Sequence, residues 1–403
     1  MLKKLVLFFK IYRKCKISFK IPKKDILIFD KEGLPELKQN ILENLDYFIL
    51  ENRTHHLSKL FFTYRLILNI LKNLHKLFGQ NKLKIQDLYF LSLIKIVNPK
   101  IILTLIDNSD QFSRIAKNVG HDVKIIAIQG AMRHVWDFSE YMFKKKIIKK
   151  NLNQRLFIPY YLCFGKFEID ECRKFKIKVG KFKPIGSLKL SNFLIEKENN
   201  NDIKKFDICL LSDIGAWNDT FENKRLDIFD QAQRGFLKLI KWTIKYSLHK
   251  NLKFVFAFKG RKNSKGSARE LAFYKSNLSQ DEFNYITTYS SMSSESQRYN
   301  SYYSAYGSEL TIAKTSTILR EMLACKNKIL ACNLTGIDLF NFPVGGICNL
   351  KNCDYNQFSK RINEILEIKH DKYLSKISNR KSDMIFQSSP KEVIKAIKNE
   401  LIW

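Results

Sequence analysis

The sequence alternates short apolar runs with longer segments of helical periodicity, and this alternation restricts the fold more than any other feature. In the first half, each apolar run is bounded by polar turns, as the buried strands of a parallel sheet are. The runs that predict strands are residues 25–30, 47–51, 101–106, 124–128, 161–164 and 183–187. Because strands that alternate with helices form parallel sheets, the pattern predicts an α/β fold.

The pattern stops at a polar stretch and then starts again. Residues 196–205 read EKENNNDIKK, which is the composition of a linker. Beyond it, predicted strands lie at residues 206–211, 253–258, 309–313 and 328–332, and a final helix is predicted at 390–401. A chain of 403 residues exceeds one ordinary core. We therefore expect two Rossmann-like domains, 1–195 and 206–403, with the final helix in the second.

The chain is strongly basic. Lys and Arg number 71 against 39 acidic residues, which gives a net charge of +32. Such a field attracts nucleic acid, anionic lipid or phosphorylated substrates. Residues 1–24 hold nine basic residues and no acidic one, and a second basic cluster spans 144–150. AT-biased coding also enriches Lys, so the charge alone does not choose among these partners.

Residues 57–78 predict an amphipathic basic helix. Its apolar residues fall along one stripe, with Lys and Arg off it. The stripe consists of Leu57, Leu60, Phe61, Tyr64, Leu68, Leu71 and Leu74. We expect the stripe to pack against its own sheet, and docking on a membrane or a partner is the alternative.

The segment 309–335 carries the most chemistry. A strand ends at Ala313, and Thr315, Ser316 and Thr317 open a helix. Hydroxyl residues at a helix start cap its free amides, which also form an anion site with the helix dipole. Glu321 lies one turn further on, so its carboxylate is in reach of a sugar hydroxyl. The segment predicts a site for a ribose with its phosphates, and simple capping is the alternative.

Two other strand ends in the second half supply polar groups to the same predicted cleft. Strand 253–258 runs into Lys259, Gly260 and Arg261, a plausible phosphate clamp at the carboxyl end of a parallel strand. A solvated loop is the alternative. Ser212 follows strand 206–211 and is expected to line the same cleft.

Three segments, IDNSDQFSRI, KIIAIQGAMR and TSTILREMLACKNKILACN, resemble the bacterial surface-carbohydrate biosynthesis family. That family makes capsule or lipopolysaccharide and is related to GT-B transferases and CDP-glycerol glycerophosphotransferases. The resemblance covers roughly residues 100–340. It implies a GT-B fold of two domains facing a central cleft, with the donor nucleotide on the C-terminal domain. The donor contacts it implies are Thr315, Ser316, Thr317 and Glu321, and the residues that face the cleft from the other side are Gln129, Gly130 and Arg133. Asn108, after strand 101–106, is a further acceptor-side candidate.

An inverting enzyme of this type needs a general base and cations that stabilise the departing phosphate. Asp107, at the end of strand 101–106, is the first candidate base. The other candidates are Asp30, Glu51, His55 and His56. No DxD motif and no Cys/His cluster at zinc spacing occurs, so we expect no metal and no cofactor.

Together these features predict a glycosyltransferase that moves a sugar from a nucleotide-sugar donor to a capsule or lipopolysaccharide acceptor. We expect it in the cytoplasm, peripheral on the inner face of the cell membrane. One alternative is a CDP-polyol phosphotransferase of the same fold. The other is a non-catalytic basic protein that binds nucleic acid or membrane. The sequence does not name the donor base, the sugar or the acceptor.

Overall fold

The chain divides into two compact units. In the computed structural model, one unit comprises Met1–Asn192 with Phe386–Trp403, and the other comprises Phe193–Ile385. The structure describes residues 15–53, 57–78, 83–132, 135–146, 149–199, 203–213, 227–294, 297–379, 381–386 and 388–402.

The first unit is built on a parallel sheet. Its strands are β1 (Lys16–Ser18), β2 (Ile26–Phe29), β3 (Tyr47–Leu50), β4 (Lys59–Phe61), β5 (Ile101–Thr104), β6 (Lys124–Ile128), β7 (Phe157–Cys163) and β8 (Lys178–Pro184). Six of them form the sheet in the order β3-β2-β5-β6-β7-β8, and β1 pairs with β4 separately. Every pairing is parallel. The order reverses between β2 and β5, which is the switch point of this sheet.

Helices connect these strands and cover both faces of the sheet. They span Leu34–Asn40, Tyr64–Lys72, Ile85–Val97, Asp110–Ala116, Val135–Lys144, Leu152–Arg155 and Lys166–Lys174, with a 3-10 turn at Leu74–Leu77. The helix Leu188–Glu198 begins in this unit and continues into the second. All four residues of β2 and all four of β5 are buried, as expected for central strands covered on both sides. The edge strand β8 is largely exposed or half-buried. Its polar sequence therefore gave only a weak strand signal.

The second unit is also built on a parallel sheet, but the order of its strands is different. Its strands are β9 (Phe206–Leu211), β10 (Phe254–Ala257), β11 (Ser290–Ser291), β12 (Ser308–Ala313), β13 (Ile329–Asn333) and β14 (Asn349–Lys351). They form a parallel sheet in the order β11-β10-β9-β12-β13-β14. Numbered within the unit this is 3-2-1-4-5-6, the Rossmann order, with its switch point between β9 and β12. The expected fold class, α/β with two Rossmann-like parallel sheets, is confirmed.

The helices of the second unit follow its strands in turn. They span Asp227–His249, Lys265–Asn277, Gln280–Thr288, Asn300–Tyr306, Thr317–Ala324, Tyr355–Glu367, His370–Ser375 and Lys381–Met384, with a 3-10 turn at Asp338–Phe340. A last helix, Pro390–Asn399, begins where it was expected, and Ser389 and Glu392 form a capping box at its start.

This last helix belongs to the first unit, which differs from the expectation that 206–403 forms one domain. The Glu400 carboxylate accepts hydrogen bonds from Lys124 Nζ at 2.8 Å, from Lys183 Nζ at 2.6 Å and from the Tyr160 hydroxyl at 2.9 Å. Two cations of the first sheet thus fix the end of the chain. The helix follows the second unit in the sequence, but it packs against the first.

The amphipathic segment also differs from its expectation. It is divided into strand β4, the helix Tyr64–Lys72 and the 3-10 turn. Of the helix, only Leu66 is buried, whereas Tyr64, Leu68 and Leu71 of the expected stripe are exposed. The expectation that the stripe packs against the sheet is therefore wrong for these residues.

The Glu400 contacts make a prediction about stability and pH. Burial alone would raise the pKa of this carboxyl, but the hydrogen bonds from Lys124, Lys183 and Tyr160 outweigh burial and lower it to about 2. A depressed pKa stabilises the fold above the unfolded value near 4.5, and the contribution is lost as the pH falls towards 2. Glu400→Gln should therefore lower the free energy of unfolding by about 1–3 kcal/mol at pH 7 and by less at pH 3.

Urea unfolding followed by circular dichroism measures both values. Glu43→Gln is the matched control, because Glu43 is an exposed carboxylate of the same unit. An equal loss at the two pH values would contradict the assignment of the low pKa to Glu400.

Candidate functional site

Two charged side chains meet at the switch point of the second sheet. Asp213 follows β9 and Lys314 follows β12, the two strands between which the order reverses. Lys314 Nζ lies 3.1 Å from Asp213 Oδ2, and the two side chains are only 8% and 16% exposed. Open α/β sheets bind their ligands in the crevice at the carboxyl ends of such strands. This ion pair therefore occupies the position where the fold accepts a ligand.

A third strand end contributes to the surroundings of Lys314. Phe340, in the 3-10 turn that follows β13, holds its ring centroid 4.4 Å from Lys314 Nζ. A cation over an aromatic face is attracted by the ring quadrupole. The ammonium group is thus held between a carboxylate and an aromatic ring.

The helix Thr317–Ala324 starts directly beside this lysine. The Ser316 side chain caps the helix, since its Oγ accepts a hydrogen bond from the Ile318 amide at 3.2 Å. Thr315 is buried and Thr317 is half-buried. Capping at Ser316 is confirmed, and donor binding by these three residues stays a prediction.

Glu321 has a defined partner inside the second unit. Its side chain is fully buried, and its Oε2 accepts a hydrogen bond from the Tyr302 hydroxyl at 2.7 Å. Tyr302 packs against Phe193, with ring centroids 5.3 Å apart. The contact of Glu321 with a ribose stays a prediction, and the structure adds that this carboxylate ties the helix Thr317–Ala324 to the helix Asn300–Tyr306.

The predicted phosphate clamp after β10 is organised by a buried carboxylate. Glu270 accepts hydrogen bonds from the Gly260 amide at 2.8 Å, from the Lys259 amide at 3.2 Å and from the Ser212 hydroxyl. Ser212 Oγ also lies 2.6 Å from the Tyr274 hydroxyl. Burial, with the charge of Glu270, raises the pKa of Tyr274 well above its usual value. The backbone amides of the clamp therefore already have an anionic partner.

The side chains of the predicted clamp have a different environment. Those of Lys259 and Arg261 are exposed to solvent. Contact of these two side chains with a phosphate stays a prediction. The loop amides of Lys259 and Gly260 are not part of it, because they already donate to Glu270. Ser212, expected to line the cleft, is buried against Glu270.

In the first unit, the expected catalytic base is an internal residue. Asp107 is fully buried, and its Oδ2 accepts a hydrogen bond from the Tyr161 hydroxyl at 2.6 Å. Asn108, its neighbour, is exposed at the same strand end. The role of Asp107 as a base stays a prediction.

Gln129 connects the carboxyl ends of β6 and β7. Its Oε1 accepts from the Phe164 amide at 2.7 Å, and its Nε2 donates to the Ala131 carbonyl at 3.1 Å. Gly130 lies so close to Leu105 that a Cβ there would be 2.7 Å from the Leu105 carbonyl oxygen. These residues shape the strand-end loops. Arg133, predicted beside them, lies outside the described residues.

The alternative bases are engaged in ion pairs where the structure describes them. Asp30 accepts from Arg53 Nε at 2.6 Å. Glu51 accepts from the Ser58 amide and hydroxyl and from Lys31, and these bonds outweigh the effect of burial and lower the pKa of Glu51. His55 and His56 lie outside the described residues.

Sequence reasoning did not single out Lys314, Phe340 or Glu270. Lys314 immediately follows a strand that was recognised, so extending the strand-end rule to that first residue would have identified it. Glu270 lies in the helix Lys265–Asn277, ten residues beyond the loop that it organises, and no local pattern marks it.

Comparison with known proteins shows similarity in structure only. No protein-family model and no curated protein sequence matches the chain. The UDP-GlcNAc 2-epimerase from Neisseria meningitidis, bound to UDP-GlcNAc, is similar in fold with a TM-score of 0.50 and 9% identity, over 93% of this chain and 98% of that chain. The UDP-GlcNAc 2-epimerase from Methanocaldococcus jannaschii, in complex with UDP-GlcNAc and UDP, has a TM-score of 0.49 and 12% identity over 93% and 98% of the chains. The wall teichoic acid polymerase TagF has a TM-score of 0.49 and 11% identity over 94% and 89%.

The similarity to the Neisseria meningitidis protein agrees with the fold described above. It concerns the fold alone, because 9% identity does not carry residue roles from one chain to the other. The switch-point residues of this chain are therefore interpreted from their own geometry.

The close packing of the loop after β10 predicts that an alanine at Gly260 destabilises the protein, whereas an alanine at Gly266 does not. A Cβ at Gly260 would lie 2.6 Å from the backbone N and Cα of Ser267, whereas the nearest atom to a Cβ at Gly266 is Ser264 Oγ at 3.5 Å. Gly260→Ala should cost about 1–3 kcal/mol of unfolding free energy, because helix and loop must separate. Gly266→Ala, the control inside the helix, should be neutral or stabilise by up to about 1 kcal/mol. Denaturant unfolding measures both variants, and equal destabilisation would contradict the described packing.

Proposed function

We propose that the protein is a transferase that takes a sugar from a nucleotide-sugar donor and binds the donor nucleotide at the switch point between β9 and β12. The observation that carries the proposal is the buried Lys314, held beside Asp213 at the start of the helix Thr317–Ala324. A cation and a helix N-terminus at one strand edge form a site for a diphosphate.

The chemistry of sugar transfer fits these groups. When the bond between the sugar and the diphosphate breaks, negative charge develops on the leaving phosphate. A buried ammonium group and fixed helix amides stabilise that charge more strongly than they would in water. Asp213 neutralises the charge of Lys314 when no anion is bound. A bound diphosphate would take over part of that neutralisation. On this proposal, Lys314 and the amides near Thr315 act on the leaving group.

The acceptor side of the proposal rests on the sequence resemblance. We expect a capsule or lipopolysaccharide acceptor, with Asp107 as the group that takes the proton of its hydroxyl. The fold supports a nucleotide-sugar donor in one further respect: the Neisseria meningitidis protein of similar fold is described as bound to UDP-GlcNAc.

The proposal predicts saturable nucleotide binding. Titration calorimetry with the CMP, CDP, UDP and GDP series should give one series that binds with a defined stoichiometry. The nucleoside diphosphate should bind more tightly than the matching monophosphate, because the second phosphate adds a charge-assisted contact. Preference for the cytidine series, with release of CMP from a CDP-polyol donor, would favour transfer of a polyol phosphate instead of a sugar. Absence of saturable binding in every series would overturn the proposal.

The switch-point ion pair predicts different effects on nucleotide binding when either of its two charges is removed. Lys314→Gln should weaken nucleoside diphosphate binding about 10- to 100-fold, because one charged hydrogen bond to phosphate is lost. Asp213→Asn should leave the affinity unchanged or increase it, since it removes the competing carboxylate. Calorimetry measures the affinities, and thermal unfolding verifies that both variants fold. If both changes lower stability equally and neither changes affinity, the ion pair is structural and the assignment of Lys314 is wrong.

A further inference from the structure

An apolar surface of the first unit is open to solvent. Its side chains come from the segment before β2, from the residues after β4 and from the helix Tyr64–Lys72. We call it the docking face, and it consists of Phe19, Phe62, Tyr64, Ile67, Leu68 and Leu71. Phe19 is 74% exposed and Tyr64 is 68% exposed. Side chains of this size are normally exposed singly, whereas a contiguous group of them marks an interaction site.

The geometry of the helix shows that the exposure follows from its amphipathic pattern. Leu66 is buried and Ile70 packs against the core of the unit. Tyr64, Ile67, Leu68 and Leu71 have the spacing i, i+3, i+4 and i+7, so they form one stripe on a different side of the helix. A surface helix usually turns such a stripe towards its own core. Here the apolar stripe is turned outward.

A groove joins this stripe to the first described segment of the chain. Its volume is about 610 Å³, and its lining includes Phe19, Phe62, Tyr64 and Ile67. The docking face is therefore one continuous surface, although its residues come from two parts of the sequence.

The charged side chains that line the groove are cations. In the sequence, residues 54–86 contain no Asp or Glu. Lys20 and Arg65 line the groove itself. Lys59, Arg65 and Lys72 are exposed. A partner that fits this face therefore has a densely negative outer layer and an apolar layer beneath it.

We propose that the docking face lies on an anionic lipid bilayer, with its apolar side chains among the acyl chains and its cations at the phosphate groups. A protein interface surrounds its apolar core with a polar rim and not with a dense layer of one charge, and a nucleic acid offers no apolar layer for Leu68 and Leu71. The helix is nine residues long, about 14 Å, against a bilayer core of about 30 Å, so it lies in the interface plane. Among the described residues, no helix is long and apolar enough to cross a membrane.

The cations next to the helix continue beyond the docking face. The lining of a second groove of about 820 Å³ includes Lys84, Lys117, Lys149 and Lys150, the ion pair of Asp110 with Arg155, and the apolar residues Phe78 and Ile85. Burial, then the positive charges of Lys150 and Lys178, lower the pKa of Lys117. Cations that crowd one another in this way favour an anionic partner, and lipid phosphate groups supply one.

Vesicle co-sedimentation of the full-length protein tests the proposal. The probes are phosphatidylcholine vesicles with and without phosphatidylglycerol, at low and high salt. We expect binding only when phosphatidylglycerol is present, and weaker binding at high salt. Each cation near an anionic surface contributes roughly fivefold to partitioning. Arg65→Gln with Lys72→Gln should therefore lower the partition coefficient by roughly 25-fold.

The apolar contribution is tested separately, with a matched control. Leu68→Ser with Leu71→Ser should lower partitioning at least about tenfold, because two apolar side chains are lost from the interface. Leu248→Ser is the control, since Leu248 is 60% exposed on a helix of the second unit and should change nothing. Circular dichroism verifies that all variants fold.

Three outcomes would overturn the proposal. The first is that the protein does not bind phosphatidylglycerol vesicles, and the second is that Leu248→Ser weakens binding as much as the docking-face variants do. The third is RNA binding or self-association that the docking-face variants abolish, in the absence of vesicle binding. The inference does not depend on the proposed nucleotide site, because nucleotide affinity is measured without vesicles and should be unchanged in the docking-face variants.

Discussion

The structure depends on the burial of parallel strands on both faces. A strand such as β5 or β9 satisfies its backbone only through its neighbours in the sheet, and its apolar side chains need helices on either side. Each connection must therefore cross a face of the sheet and return to the same edge. This requirement brings the loops after β9, β12 and β13 together, and it places Asp213, Lys314 and Phe340 side by side although they lie far apart in sequence.

A second principle recurs at these strand edges: a buried carboxylate is held by a hydroxyl group. Asp107 accepts from Tyr161, Glu321 accepts from Tyr302, and Glu270 accepts from Ser212. A buried charge is tolerated only when it is hydrogen-bonded, so each carboxylate fixes the position of a second element. Asp107 and Glu321 looked like candidate catalytic or binding groups in the sequence, because an acidic residue near a strand end or a helix start is compatible with either role, whereas Glu270 carried no such signal.

The sequence predicted much of the fold because most of its strands are central ones. Strands β2, β5, β6 and β9 are short apolar runs with clear boundaries, and the last helix begins at Pro390, as predicted. The edge strands β8 and β14 gave little signal, since they are partly exposed. At the site, the capping by Ser316 was readable from three hydroxyl residues before a helix, whereas Glu270 was not, because its partners are set by tertiary packing. The direction of the apolar stripe at Tyr64–Lys72 was also not readable, since periodicity identifies a stripe but not the side that it faces.

The contact between Lys124 and Glu400 joins residues 276 positions apart. The second unit is inserted between the two parts of the first, so during synthesis its whole chain leaves the ribosome before the last helix does. The sheet of the first unit consequently forms while two of its lysines, Lys124 and Lys183, still lack their carboxylate. Completion of the first unit therefore requires the closure of one of the longest loops in the chain.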